Sequence, residues 1–436
     1  MRIVKYICMW TLLLLPLAAG GQSTADAILA DPARAGGLMY VYDYKAEPPM
    51  TPAPKGYKPF YISHYGRHGA RYALDFQYDT VRAVLARGAR AGMLTPRGER
   101  LQKDYEAFWH EARYREGELT GIGKDQHRTI ALRMVRRFPE VFKGATRGDA
   151  ISTPVPRVMM SMFSFVDALR SRDKSLQVRT EASESFSPIL RPNWSPLDVK
   201  RPVEQSVMTA PYADFFRETV DIQGILSRIF TDPARAVKAL GIDGVLFTRF
   251  LFDLATGMEC LDRPRPVFDG LFTQADSMAV ARAGWLRVFR YLAYYEGSGT
   301  LYPDFTAYTL KDIIEKADAD MASGDMQLRL RFSHDSSVMP LAVWMDINGF
   351  GRVAHSPEEA FEIFPLYRMP MGGSLQLIFF RSRRDPEILV KVLWNEAEAS
   401  LPIPGGPYYR WSDVKAKYGP RIGEALKKIE KFPPAD

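Results

Sequence analysis

Between residues 58 and 64 the run Lys-Pro-Phe-Tyr-Ile-Ser-His is short, aromatic and β-branched, and it leads through Tyr65 into Gly66-Arg67-His68-Gly69. That pattern predicts a strand feeding a glycine-flanked loop. Residues 80–93 and 96–115 carry apolar positions at helical spacing between charges and predict two amphipathic helices. Leu119-Thr120-Gly121-Ile122-Gly123 then introduces a third over 124–138, whose Ile130, Met134, Val135 and Phe138 share one face before Pro139 stops it. A buried strand is expected over 150–155, and Arg157 opens another apolar helical stretch as far as Leu169.

The middle, roughly 197–296, is helix-like, with aromatic-rich runs such as 246–254 and 285–295 and few strand signals. Those aromatic runs have the spacing of core packing. Strands resume at 328–332, 374–380 and 388–393, and a helix is expected over 336–344. Strands and helices therefore alternate around a helical insertion. The expected fold is α/β, a three-layer sandwich around a central mixed sheet with an inserted, mostly helical subdomain. Residues 22–196 and 297–436 would form the core and 197–296 the insertion. No fixed-period repeat is present.

Composition adds bounds. At 436 residues with 46% hydrophobic and 25% charged content, the chain is long enough to bury a sizeable core. Residues 1–21 read as a signal peptide, with Arg2 and Lys5 ahead of an apolar run that is interrupted by Pro16 and followed by small residues. Export to a bacterial periplasm or the cell exterior is expected, with no membrane attachment after cleavage. Cys8 lies at the start of the apolar run, the wrong place for a lipid-modified cysteine. Loss of the leader leaves only Cys260, so no internal disulfide can form and the fold must rest on its core. The net charge of +7 falls to +5 without Arg2 and Lys5, which suits an anionic substrate; the basic residues are scattered and carry no nucleic-acid-binding signature.

The loop Arg67-His68-Gly69-Ala70-Arg71 places an imidazole between two guanidiniums at the expected carboxyl end of a strand, where open α/β sheets commonly bind ligands. Guanidiniums bind phosphate oxygens bidentately. An imidazole beside them can attack phosphorus and carry the phosphoryl group covalently. The segment Phe332-Ser333-His334-Asp335 again follows a strand, and supplies a further donor in His334 and a carboxyl group in Asp335 that can protonate a leaving alkoxide.

Together these motifs resemble the histidine acid phosphatase family, the branch of the histidine phosphatase superfamily that includes phytases and multiple inositol polyphosphate phosphatases. The resemblance spans most of the chain after the leader. Arg67, His68, Gly69 and Arg71 match its arginine-histidine-glycine-x-arginine loop, and His334 and Asp335 its distal histidine-aspartate pair. Residues 151–157, Ile-Ser-Thr-Pro-Val-Pro-Arg, with Ser161, resemble the segment that supplies a third phosphate-binding arginine, Arg157. The resemblance implies a phosphomonoester hydrolase with His68 as nucleophile and Asp335 as proton donor. Arg67, Arg71, Arg157 and His334 would bind phosphate, with no metal and no cofactor. Two positions depart from the pattern: Tyr72 stands where many members have proline, and Ser336 follows His334-Asp335 where the inositol polyphosphate phosphatases carry histidine-alanine-glutamate. The stretch 119–142 looks most like the phytate-cleaving group. Sugar phosphates and nucleotides are the other substrate readings.

Two rivals remain at this point. A phosphate- or phosphosugar-binding protein needs the arginines but neither nucleophile nor acid, and a mutase of the same superfamily would pass the phosphoryl group between substrates. His110-Glu111-Ala112-Arg113-Tyr114 begins like a zinc-protease helix, yet Tyr114 occupies the second ligand position. His64 reads as a packed neighbour of the loop, and His110, His127 and His355 as solvated or structural.

Overall fold

The computed structural model describes residues 22–144, 146–192, 205–298 and 301–431. The expected signal peptide lies outside them. Eight strands among the described residues form one sheet: β1 (Tyr57–Arg67), β2 (Arg147–Ser152), β3 (Gln177–Ala182), β4 (Leu328–Ser333), β5 (Ser374–Ser382), β6 (Leu389–Trp394), β7 (Ala397–Glu398) and β8 (Tyr409–Arg410). Their order is β3-β2-β4-β1-β5-β6-β7, with β8 beside β6. β1, β4, β2 and β3 run parallel, and β5 onward antiparallel, so the sheet is mixed as expected.

The helices that position the site are α1 (Asp75–Arg90), α2 (Pro96–Ala112), α3 (Gly121–Arg137), α4 (Pro156–Arg172), α5 (Gly244–Gly257), α6 (Gln274–Leu292), α7 (Ala307–Ser323), α8 (Asp335–Trp344) and α9 (Trp411–Ile429). Period-two alternation along β1 assigns the two faces of the sheet. Ile62 points into a cluster with Ile130, Met134, Met162 and Phe165 of α3 and α4. Tyr61 and Tyr65 point the other way, into a cluster with Phe289 of α6, Leu310 of α7, Trp344 of α8 and Tyr418 of α9. This makes the helix-sheet-helix sandwich. α1 and α2 share a separate apolar cluster with α5, built on Tyr78, Leu85, Tyr105, Phe108, Phe247 and Leu251. Among the described residues no helix is long and apolar enough to cross a membrane.

Several bounds differ from those the sequence predicts. β1 continues past His64 to Arg67, because Tyr65 and Gly66 are paired in register on both sides, with Arg331 and Phe332 of β4 and with Leu375 and Ser374 of β5. α1 begins five residues before position 80, where Leu74 takes Gln77 into a capping arrangement. β3, α7 and α9 carry no expectation from the sequence; β3 is an outer strand whose alternate side chains are exposed, so its pattern is polar.

Candidate active site

The registers decide where the motifs meet. Parallel pairing sets Arg67 of β1 beside Ser333 of β4, and Ser152 of β2 beside Phe332 of β4. The residues that follow these three strand ends, His68, His334 and Thr153, therefore emerge side by side at the carboxyl edge, the edge of an α/β sheet that binds ligands. The His68 amide donates to the Ser333 carbonyl at 3.0 Å and its carbonyl accepts from Gly372 at 2.9 Å, which locks the loop to its neighbours.

His68 is 2% exposed, and its Nδ1 lies 2.9 Å from the Gly69 carbonyl oxygen. A carbonyl can only accept, so this bond places the proton on Nδ1 and leaves the Nε2 lone pair free. Burial, then the positive charges of Arg157, Arg67 and Arg71, and then His334, hold the imidazole well below its ordinary value. It is a neutral base. Its ring lies edge-on to that of His334, with centroids 5.6 Å apart.

Arg67 is 1% exposed; its Nη1 donates to the carbonyls of Leu38 at 2.8 Å and Met369 at 2.6 Å, and its Nη2 pairs with Asp335 Oδ2 at 2.5 Å. Asp335 is the first residue of α8 and its other oxygen accepts from the Ser336 amide at 2.7 Å. Burial alone would raise this carboxyl, but Arg67, His334, Arg71 and the Ser336 amide together hold it below the usual carboxylate range. The helix amino terminus acts in the same direction. At rest Asp335 is therefore ionised and occupies one nitrogen of the Arg67 fork.

The remaining cations surround the same point. Arg71 donates to the Tyr72 carbonyl at 2.8 Å, and Arg157 enters from the first turn of α4. Burial and the neighbouring Arg71 lower the guanidinium of Arg157 to about 10, against the pull of Asp335. The Nε atoms of Arg67, Arg71 and Arg157 are all buried without a hydrogen-bond partner among the described residues. Buried donors left unpaired in this way are costly, and an anion bound among them would satisfy them. His334 Nε2 lies 3.3 Å from the Thr153 hydroxyl, and burial together with Arg157 lowers this imidazole to about 3.

Around the six candidate site residues, others hold the loop in place: Gly69 and Ser161, which belong to the motifs themselves, and Gln126 and Arg191, which the structure adds. Gln126 of α3 accepts from the Ala70 amide at 2.9 Å and donates to the Met371 carbonyl at 2.8 Å, tying the loop to the one that precedes β5. Ser161 accepts from the Gly69 amide at 3.1 Å while donating to the Arg157 carbonyl at 2.8 Å. Gly69 is required by packing: a Cβ there would sit 2.5 Å from the Gly123 carbonyl oxygen. Arg191, a further cation acting on Arg157 and His334, pairs with Glu184 at 3.3 Å, and the Leu190 carbonyl before it accepts from Tyr65 at 2.5 Å. Only the capping motif Thr120-x-x-Gly123 foreshadows the Gln126 contact, since it fixes the start of the helix that presents the amide.

The other histidines lie elsewhere. His64 and His127 are each 1% exposed, beneath the loop against the ring of Phe332. His355 is exposed beside Glu296, and Tyr114 lies beyond the end of α2 with 84% of its surface free, so no zinc-protease helix forms. Tyr72 accepts from Arg115 at 2.7 Å and stacks under that guanidinium. Cys260 is buried, its thiol pushed up to about 11 by burial. Among the described residues no group of three or more His, Cys, Asp or Glu side chains could hold a metal ion.

A cavity of about 230 Å³ opens from Arg67, Arg71 and Asp335 toward α5 and α6. Its far wall carries Arg249, Asp253 and Arg287 alongside Phe250, Phe252 and Trp285.

No protein-family model matches the chain, and no curated protein matches it. Solved structures do. The multiple inositol polyphosphate phosphatase of Bifidobacterium longum in complex with inositol hexasulfate superposes with a TM-score of 0.71 at 18% identity, over 88% of this chain and 97% of that one. The phytase from D. castellii gives 0.66 at 15% identity, over 90% and 85% of the two chains. Hafnia alvei phytase in complex with tartrate gives 0.53 at 12% identity, over 86% and 98%. These neighbours belong to the histidine acid phosphatases. The chain has the histidine acid phosphatase fold. The likeness of its fold agrees with the resemblance of its motifs.

Proposed function

We propose that the chain is a phosphomonoester hydrolase acting through a phosphohistidine intermediate on His68, with inositol polyphosphates as its natural substrates. One observation carries this reading: a buried imidazole with a free Nε2 lone pair, held neutral among three guanidiniums whose inner nitrogens are unpaired, with a carboxyl group on the neighbouring strand end. A binding protein needs no such base.

In the first step Nε2 of His68 attacks phosphorus, the bond to the ester oxygen breaks, and Asp335 gives that oxygen a proton. In the second, the Asp335 carboxylate takes a proton from water, the hydroxide oxygen bonds to phosphorus, and the phosphorus–nitrogen bond breaks to release phosphate and neutral His68. Arg67, Arg71, Arg157 and His334 hold the equatorial oxygens, the electrostatic work on which phosphoryl transfer depends. Asp335 starts ionised, so it must gain a proton on binding. A phosphate that draws Arg67 away and adds negative charge beside the carboxyl raises its pKa and makes it the acid.

Support for a polyphosphorylated substrate comes from the far wall of the cavity. Neither Arg249 nor Arg287 has an ion-pair partner among the described residues, and both have a buried, unpaired Nε. The Asp253 carboxylate interacts with both guanidiniums and offsets one of them, which leaves a surplus of one positive charge across the cavity from the nucleophile and suits a leaving group that is itself anionic. The leader pattern supports export to the periplasm or cell exterior.

The test is phosphate release from para-nitrophenyl phosphate and from phytate, with chelator present, by the wild type, His68→Ala and Asp335→Asn. Turnover by the wild type, none by His68→Ala, and phytate preferred over the aryl ester is the expected result. An inactive wild type on a broad phosphomonoester panel would leave a phosphate-binding protein.

A further inference from the structure

At the end of the sheet away from the catalytic loop, the start of β1, the end of β5 and the approach to β2 enclose a recess of about 870 Å³. Lys58 and Arg381 face each other in register there, and the pairing of Tyr57 with Ser382 sets the floor. Six cations line the recess, Lys55, Lys58, Lys143, Arg381, Arg383 and Arg384, against the single carboxylate of Glu140. All six are exposed, and none has an ion pair among the described residues. Arg381 rests on the ring of Phe60, 4.7 Å from its centroid, which holds one guanidinium in place.

The local surplus of five positive charges equals the whole surplus of the chain after Arg2 and Lys5 are set aside. The rest of the molecule is thus balanced in sum. Like charges brought together on three separate chain segments repel unless something neutralises them. Lys58 stands nine positions before Arg67 on one strand, which puts the recess roughly 30 Å from the catalytic loop at about 3.3 Å per residue. It cannot be a part of the catalytic cavity.

We propose that this recess is a second, non-catalytic anion site for a compact, multiply charged small molecule of the inositol polyphosphate class. The ligand class is taken from the function proposed above, whereas the site itself rests on its own charge and shape. A concave floor favours a compact polyanion over a flat lipid surface, which would contact only the rim. Occupancy here holds substrate-like anions on the enzyme without blocking its turnover.

The experiment is calorimetric titration with inositol hexasulfate, whose sulfate esters a phosphatase of this kind does not cleave, at low and moderate salt. The wild type should bind two equivalents. Arg383→Glu/Arg384→Glu should lose one of them, its affinity weakened about ten-fold or more, with unchanged turnover of para-nitrophenyl phosphate and a thermal midpoint that is not lowered. Arg71→Ala should keep the recess equivalent while losing the catalytic one, so failure of the proposed function and failure of this site are told apart. A single equivalent in the wild type that survives in Arg383→Glu/Arg384→Glu overturns the proposal. So does binding of the wild type to phosphatidylglycerol vesicles, lost in the same double variant, without any recess equivalent of hexasulfate.

Discussion

At the scale of single residues, protonation states decide the chemistry. A free imidazole titrates near pH 6.5, but His68 is held well below its ordinary value by burial and by the arginines around it. Its lone pair is already available in mild acid, so the acid limb of kcat/KM for para-nitrophenyl phosphate should fall well below pH 6.5 and not at it. A limb centred on 6.5 would mean that the ring is not held as described. Gln126 makes a different kind of contribution: its amide joins two loops through two buried hydrogen bonds. Gln126→Ala should cost about 1–3 kcal/mol in denaturant midpoints and lower kcat more than it raises KM, since it leaves the Ala70 amide unpaired and the His68 loop loose. The chemistry of the loop was legible in the sequence because Arg67, His68, Arg71 and Asp335 carry it in their side chains. Gln126 was not, because an amide on a helix has no local signature; only the fold brings it to Ala70.

At the scale of elements, close approach between α3 and the catalytic loop sets narrow limits. A Cβ on Gly123 would stand 2.3 Å from the Ala70 carbonyl oxygen and 2.8 Å from its nitrogen, both backbone atoms that cannot swing aside. Gly123→Ala should therefore destabilise by about 1–3 kcal/mol and reduce activity. Gly423, inside α9 with nothing within 4 Å of an added Cβ, should respond with the opposite sign. Gly423→Ala should stabilise by roughly 0.5–1 kcal/mol, because alanine loses less backbone entropy in a helix. Thermal unfolding of the two variants side by side checks both. Strong periodicity revealed α1 to α4 and the inner strands. It failed for β3, where half the side chains face water, and α9 went unread with Gly419 and Pro420 in its middle.

For the molecule as a whole, the buried imidazoles make stability depend on acidity. His64 and His127 are each lowered to about 3 by burial, and His334 likewise by burial and Arg157. Unfolding returns each to about 6.5. The unfolded chain therefore binds more protons between pH 6.5 and 3, and stability is complete above 6.5 and is lost as pH falls through that window. Each group contributes a slope of about 1.4 kcal/mol per pH unit there. Urea midpoints should drop steeply from pH 7 to pH 4.5, and His64→Leu/His127→Leu should flatten that dependence even if it lowers the midpoint at pH 7. The arrangement of layers was legible from the alternation of strands and helices. The pairing of β1 with β4 was not, because nothing local says that a strand near residue 60 will lie beside one near 330.

That pairing also governs when the protein becomes competent during refolding. Arg67 and Ser333 are neighbours in register yet 266 positions apart in the chain. Closing so long a loop carries its entropy cost before any contact rewards it, so such pairings form late and slowly. No fragment that stops short of β4 can hold His68 and Asp335 together. Recovery of turnover after dilution from denaturant should thus lag behind recovery of helical signal, because catalysis reports the completed sheet.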